Sequence, residues 1–309
     1  MSIEIINGGA LTTVQDLGRA GARLQGFGTN GVMDEASSRL ANALVGNSQD
    51  KAVLEMTMLG AQMRFNEACF IAVCGADMKP EINGKAIKMN KAYKVNGGDV
   101  LKNGLAVSGL RTYLAVSGGI DADEFLSSRS TNLKCGVGGY FGRKLKSGDV
   151  LKIGRDKGHL YNPNYAEVKY SAPSQQVTVR AVAGPQYDMF DEKGKKAFWS
   201  ESFKVTEQSD RMGIRLSGAE ISAQGTTDII SDAIVKGSVQ VSANLQPIIL
   251  MADAQTTGGY AKIATVISAD LPLLAQLKPN AEVRFKLIST KKAERAYKKF
   301  IKKYRKLCF

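Results

Sequence analysis

Apolar and polar positions alternate in short runs along most of this chain, and Gly, Asn and Asp punctuate the runs. Cys69-Phe70-Ile71-Ala72-Val73-Cys74, Thr112-Tyr113-Leu114-Ala115-Val116 and Gln176-Val177-Thr178-Val179-Arg180 read as strands. Turn signals separate such runs at Asn83-Gly84, Gly97-Gly98-Asp99, Ser147-Gly148-Asp149 and Gly258-Gly259. This spacing favours β-barrels or sandwiches over alternating strand–helix units. One phrase recurs: Gly98-Asp99-Val100-Leu101-Lys102 matches Gly148-Asp149-Val150-Leu151-Lys152. Each copy is a turn followed by a strand, and the two are expected to be equivalent hairpins of one sheet.

Helical spacing appears in three places. Ala36, Leu40 and Leu44 share a face of a segment from Glu35 to Val45, with Asp34 placed to cap it and Gly46 to end it. Ala261 to Val266, followed by Leu271 to Leu277, reads as a broken helical region interrupted by Pro272. Lys291 to Leu307 aligns Ala293, Tyr297, Phe300, Ile301 and Tyr304 along one stripe, with lysines elsewhere. Between His159 and Ser174 the text turns polar and proline-punctuated, which suggests a domain boundary.

Composition narrows the chemistry. The chain has 309 residues and is 44% apolar, ordinary for a globular protein. No run of about 18 apolar residues occurs. Met1-Ser2-Ile3-Glu4 lacks the basic and apolar regions of a signal peptide, so a cytoplasmic location is expected. Cys69, Cys74, Cys135 and Cys308 form no C-x-x-C pair, and in that compartment thiols stay reduced. His159 is the single histidine. A Ser-His-Asp triad would depend on it, and no G-x-S-x-G elbow accompanies it. A zinc site of the usual Cys/His kind lacks ligands. The net charge is +13, but Lys291 to Phe309 carries +8 of it, leaving +5 for the other 290 residues. A stripe of apolar residues at helical spacing favours docking of this tail on the folded body over nucleic acid or membrane.

Short motifs add little. Gly26-Phe27-Gly28-Thr29-Asn30-Gly31 fits G-x-G-x-x-G, but a dinucleotide site also needs flanking parallel strands, and a glycine-rich loop at a barrel mouth is the plainer reading. Ala86-Ile87-Lys88-Met89 resembles a biotin-attachment turn set inside a strand-rich domain, where an exposed strand lysine suffices. No P-loop is present.

Four polar clusters carry more. They are Thr12 to Arg19, Ser108 to Thr131 with its glycines, Ser209-Asp210-Arg211-Met212-Gly213, and Asp253-Ala254-Gln255-Thr256-Thr257-Gly258-Gly259-Tyr260. Each joins glycines, which let backbone amides approach a ligand, to Arg, Asp, Gln or Thr side chains. Any one alone reads as a capped turn or a surface ion pair; Arg211, for instance, has Asp210 and Glu207 nearby.

These clusters occur in order with Met33-Asp34, Ser38 to Asn47, Gly184-Pro185-Gln186, Ile230-Ser231-Asp232, Gln240-Val241 and Gln246-Pro247-Ile248, from about Ile3 to Ile288. In this the chain resembles the KipA-like family, which includes the C subunit of bacterial 5-oxoprolinase, allophanate-hydrolase-like proteins and the carboxyltransferase part of urea amidolyase. It departs from the family's usual text at Ala233, Ala254 and Ser242 to Leu245. The resemblance implies an all-β fold of two tandem cyclophilin-like β-barrel domains, residues 1–165 and 174–289, followed by a basic C-terminal helix, 290–309. It implies a component of an ATP-dependent 5-oxoprolinase that opens 5-oxoproline to glutamate. Such a component works with a KipI-like protein (the B subunit) and a LamB/YcsF-like protein (the A subunit), and uses ATP with Mg2+. Two alternatives stay open: carboxyl transfer from carboxybiotin, with biotin carried by another chain or domain, and non-catalytic binding of a KipI-like kinase inhibitor. Under the first reading Asp253, Arg211 and Asp210 are the catalytic candidates. Arg111, Gln15, Gln255, Thr256, Thr257, Gly258, Tyr260 and Ser209 are the substrate-binding ones.

Overall fold

A computed structural model describes residues 1–154 and 175–305, so His159, Cys308 and the suggested boundary lie outside the described residues. The chain divides into two compact units. The first takes described residues 1–20, 30–154 and 303–305, and the second takes 21–29 and 175–302. The architecture is all-β with few helices.

In the first unit, a seven-stranded sheet contains β1 (Ser2–Asn7), β4 (Gln62–Phe65), β6 (Glu81–Ile82), β7 (Lys85–Ala86), β9 (Val100–Lys102), β11 (Ile120–Asp121) and β12 (Val150–Ile153). A five-stranded sheet contains β2 (Leu11–Gln15), β3 (Val53–Thr57), β5 (Cys69–Asp77), β8 (Ala92–Val95) and β10 (Ser108–Val116), in the order β2-β3-β10-β5-β8. Inward residues of both sheets build one core, with Ile3, Met63, Phe65 and Leu101 meeting Leu54, Ile71, Val73 and Leu114. The alternate residues of the five-stranded sheet, Val53, Ala72, Cys74, Tyr113 and Ala115, pack under α1 (Glu35–Leu44) through Leu40, Ala41 and Leu44. Its strands are buried on both faces, which is why they read as nearly continuous apolar runs. The cap of α1 is Asp34, as its spacing predicts, accepting from the Ser37 amide at 3.0 Å.

The repeated phrase marks equivalent positions of the seven-stranded sheet. Gly98 and Gly148 both adopt positive φ, at 92° and 85°. Their amides donate to Phe65 and Ile5, and β9 and β12 flank the central β1–β4 pair. The G-x-G-x-x-G segment follows directly on a short 3-10 turn, Ala22–Gln25, and not on a strand, and β3 is antiparallel to both its neighbours, so no dinucleotide fold is built there.

The second unit is a closed barrel of β13 (Gln176–Ala183), β14 (Phe203–Val205), β15 (Gly213–Ser217), β17 (Ser238–Val241), β18 (Pro247–Leu250), β20 (Lys262–Val266) and β21 (Glu282–Leu287). A two-stranded ribbon, β16 (Asp228–Ala233) with β19 (Thr257–Tyr260), accompanies it. α2 (Glu192–Ser200) inserts Phe198, stacked on Phe285 with ring centres 4.3 Å apart. Residues 21–29 join this unit, with the Arg23 guanidinium donating to the Ile234 carbonyl.

Two expectations about helices are corrected. Residues 262–266, expected from their spacing to be helical, form strand β20, paired on both sides within the barrel. Pro272 opens α3 (Leu271–Ala275) instead of interrupting a helix, as suits a residue with no amide to donate. α4 (Thr290–Arg305) forms as its stripe predicts. Tyr304 is buried, Tyr297 is largely exposed and stacks on Phe300, and Phe300 and Ile301 are half-buried. Among the described residues, no helix is long and apolar enough to cross a membrane.

Candidate functional site

In the first unit, α1 sets its N-terminus over the five-stranded sheet. Register places Thr13, Glu55 and Tyr113 in one row across β2, β3 and β10, all facing the helix. The Glu55 carboxylate accepts the Met33 amide at 2.8 Å, and the Tyr113 hydroxyl accepts the Asp34 amide at 2.8 Å. Glu55, Asp34 and Tyr113 are all buried. Burial, and then the charges of Glu55 and Asp34, push the Tyr113 phenol well above its ordinary range, while Arg111 opposes the shift. Burial and Asp34 push the Cys74 thiol up in the same way. Neutral forms of both are therefore favoured.

Arg111 and Gln15 occupy this face but not one spot. Arg111 is level with Thr57 and Leu11, whereas Gln15 is level with Val53, four residues further along β2. The Gln15 amide nitrogen donates to Thr13 Oγ1 at 3.1 Å and to the Thr131 carbonyl at 3.2 Å.

A second polar knot follows β2. Asp16 accepts from the hydroxyls of Ser128 and Ser130, each at 2.6 Å, and from the amides of Gly18 and Arg129. The buried Arg19 guanidinium donates to Asn30 Oδ1 at 2.8 Å and to carbonyls of Phe125 and Ser130. Asp16 and Arg129 line a cleft of about 380 Å³ with Lys51, Asp121 and Gly118. The polar cluster Thr12 to Arg19 signals this knot, although its site candidates do not include Asp16 or Arg19.

In the second unit, Arg211 lies before β15 and Asp253 after β18. Arg211 Nε donates to Asp253 Oδ2 at 2.9 Å, and Nη2 to Oδ1 at 3.0 Å. The ion pair of Arg211 is thus with Asp253, not with Asp210 or Glu207. Asp210 is exposed and accepts the Met212 and Gly213 amides at 2.8 and 3.0 Å, closing a turn. Ser209 accepts the Arg215 amide at 3.0 Å. Both side chains shape the loop that presents Arg211.

The remaining candidates gather on the ribbon. The Thr256 carbonyl accepts the Ile234 amide, and Thr257, Gly258 and Tyr260 pair with β16. A Cβ placed on Gly258 would come 2.8 Å from Gln240 Nε2 and 3.5 Å from Gln255 Nε2, so both amides crowd this glycine. Gln240 lies between core residues Val239 and Val241, faces outward, and donates to the Tyr260 carbonyl at 3.2 Å.

Beside them stands a cluster that is not among the sequence candidates. Lys262 is only 2% exposed, and its ammonium meets Asp232 Oδ2 at 2.7 Å. Gln186 donates to the same Asp232 oxygen at 3.2 Å and accepts the Lys262 amide at 3.2 Å. Lys262, then the Ala233 amide and Gln186, hold the Asp232 carboxyl below the usual carboxylate range. A charged residue inside the apolar run Ala261-Lys262-Ile263-Ala264 was the available signal. Among the described residues, no group of three or more His, Cys, Asp and Glu comes together as metal ligands.

The carboxyltransferase domain family, subdomain A and B, matches residues 25–287. The chain is 37% identical over 301 residues to the C subunit of 5-oxoprolinase from Escherichia coli, covering 95% of this chain and 94% of that protein. It is 35% identical over 297 residues to the C subunit of 5-oxoprolinase from Haemophilus influenzae, covering 96% and 94%. The crystal structure of Kluyveromyces lactis urea amidolyase superposes on 99% of this chain with a TM-score of 0.93 at 29% identity. There the chain spans 20% of the larger protein. With a family match across most of its length and two relatives covered nearly end to end, this chain belongs to the carboxyltransferase domain family, subdomains A and B.

Proposed function

We propose that this chain is the C subunit of an ATP-dependent 5-oxoprolinase, which opens the lactam of 5-oxoproline to give glutamate. The observation that carries this reading is the 37% identity, over 95% of the chain, to the C subunit of a 5-oxoprolinase. The partners are a KipI-like protein and a LamB/YcsF-like protein, and the complex works in the cytoplasm. ATP phosphorylates the amide oxygen, and another subunit hydrolyses the activated ring. Such a step asks the protein mainly to position groups and stabilise charge. Mg2+ would arrive with ATP and would help offset the charge on the transferring phosphate.

The Arg211–Asp253 pair fits a positioning role, because the fork of Arg211 already holds a carboxylate and so fixes where Asp253 points. The test is reconstitution. The three subunits together should hydrolyse ATP only when 5-oxoproline is added, and this chain alone should not. Turnover by the chain alone would remove the need for partners, and a silent complex would remove the function.

Carboxyl transfer from carboxybiotin is the second reading, favoured by the superposition on urea amidolyase. It requires that the chain accelerate loss of the carboxyl group from carboxybiotin, an assay in which a 5-oxoprolinase component stays at background.

A further inference from the structure

α4 carries its cations on one side and its apolar residues on the other. Lys291, Arg295, Lys298 and Lys302 succeed one another at steps of four, three and four residues, so they form one row along the helix. Lys292 and Lys299 run beside that row. All six are exposed. Ala293, Ala296, Phe300 and Ile301 lie on the other side and are half-buried. The docking expected of the apolar stripe thus turns the cations away from the protein. Among the described residues, none of the six forms an ion pair or a side-chain hydrogen bond.

Nothing about this row helps the helix itself. Like charges three or four residues apart destabilise a helix. Lys291 and Lys292 also stand in the first turn, where the helix dipole is positive, and no acidic residue there offsets them. From residue 290 to residue 302 the six cations face one carboxylate, Glu294, a net charge of +5. An anion bound along the row relieves these repulsions together. The face itself selects among anions. A helix lying on a membrane inserts apolar side chains, and here they are on the opposite side, where the exposed ring of Tyr297 stacks on Phe300. Protein interfaces are depleted in lysine. Single strands are gripped by aromatic rings as well as by charge, and the row has no ring. A nucleic-acid duplex needs only cations against its phosphates. The row runs for roughly 16 Å at about 1.5 Å per residue, and a duplex offers one charge for about every 1.7 Å of its axis.

We infer that the exposed side of α4 binds double-stranded nucleic acid through its phosphates, without reading sequence. Five of the six cations are lysines, whose compact ammonium on a flexible stem meets a phosphate as a point charge. Each such contact releases a counterion from the duplex, so binding is weak at physiological salt and falls steeply as salt rises. The face lies apart from every side chain given a role in the proposed function, and neither reading depends on the other.

The test is fluorescence anisotropy of short labelled DNA duplexes titrated with the full chain at several salt concentrations. Two duplexes of unrelated sequence should bind alike. Four to six phosphate contacts should give a slope of log K against log salt of about −4 to −5. Arg295→Gln with Lys298→Gln and Lys302→Gln should weaken binding at least about tenfold and flatten the slope by about 3, at an unchanged melting temperature. The same loss of charge at the exposed Lys85, Lys94 and Lys102 of the first unit, each changed to Gln, should alter binding little. Lys298→Arg with Lys302→Arg should bind as the wild type does. If the α4 triple variant does not fold, Lys298→Gln alone decides, with a slope flattened by about 1. Equal losses in the two triple variants would mean that total charge and not α4 sets the binding, and would overturn the inference. A salt-independent signal would do the same. Tighter binding to vesicles containing anionic lipid than to the duplex would give the face to a membrane and overturn it too. No duplex binding, with an α4 variant that fails to assemble with the partner subunits, would give it to a protein surface instead.

Discussion

Arg211 and Asp253, 42 residues apart in the chain, face each other through two parallel hydrogen bonds of 2.9 and 3.0 Å, with both side chains largely buried. Their backbones are tied as well, the Asp253 amide donating to the Arg211 carbonyl at 2.9 Å. The loop entering β15 and the loop leaving β18 are therefore locked together at one end of the barrel.

That geometry makes Arg211→Lys an informative change. Lysine keeps the charge but has no planar fork. The variant should fold and lose about 1–2 kcal/mol in urea unfolding, the scale of one charge-assisted hydrogen bond. Arg211→Ala should lose about 3–5 kcal/mol, since it strands a buried carboxylate. In the reconstituted complex Arg211→Lys should reduce turnover at least about tenfold, equivalent to about 1.4 kcal/mol. Wild-type stability and turnover together would show that the pair matters to neither.

The second prediction concerns the two side chains that hold the entry to α1. Tyr113→Phe removes the acceptor of the Asp34 amide, and Glu55→Ala removes that of the Met33 amide. Each leaves a buried N–H without its partner and should cost about 1–3 kcal/mol. Glu55→Gln keeps an acceptor oxygen and should cost less than Glu55→Ala. Equal losses for the two Glu55 variants would mean that packing, not the hydrogen bond, sets the cost.

Gly184 supplies a steric test. A Cβ there would come within 2.1 Å of the Lys262 carbonyl oxygen and 2.8 Å of the Ala264 amide nitrogen, both backbone atoms of β20. Backbone cannot rotate away as a side chain does. Gly184→Ala should destabilise the protein by about 1–3 kcal/mol, the usual range for overpacking. It should also shift the Lys262 resonances in an NMR spectrum. A silent Gly184→Ala would show that β13 and β20 separate more easily than their contact suggests.

Tyr304 gives a pH dependence. Burial, and then the charges of Asp34 and Glu35, push its phenol up to about 12 from an ordinary value of 10.0, with Arg39 opposing. Folding thus favours the neutral phenol. Its contribution is complete below about pH 10 and disappears as the pH rises through about 12. Over that window wild-type stability should fall more steeply than that of Tyr304→Phe, and the tyrosinate absorbance of the folded protein should lag. Parallel curves would mean that Tyr304 titrates as an exposed residue does.

How much of this is legible in advance depends on the range of the interaction. Asp34 is readable as the cap of α1 because a cap reaches only three residues. The Gly98 and Gly148 turns are readable because a positive φ at glycine is local chemistry. The motifs that mark the family are also readable, since their order along the chain is a property of the sequence.

Strand β20 departs from its expected helix for a physical reason. Its pairing with β17 is irregular, Ala264 lying opposite Val239 but Lys262 opposite Gln240, so inward and outward positions do not keep a period of two along it. α2 is hidden in the sequence because Gly194 interrupts its helix-forming text, although Asp191 caps it with a 2.7 Å bond to that glycine's amide.

The sequence by itself determined the strand-rich class, the cap of α1, the paired turns and the family. Only the tertiary structure decided that Arg211 belongs to Asp253 and not to Asp210, that Lys262 belongs to Asp232, and that residues 21–29 group with the second unit. Alternation tells which face of a strand a side chain takes, but not which strand or ribbon lies against that face. That choice is made by long-range pairing, where loop closure, register and burial of the whole sheet are settled at once.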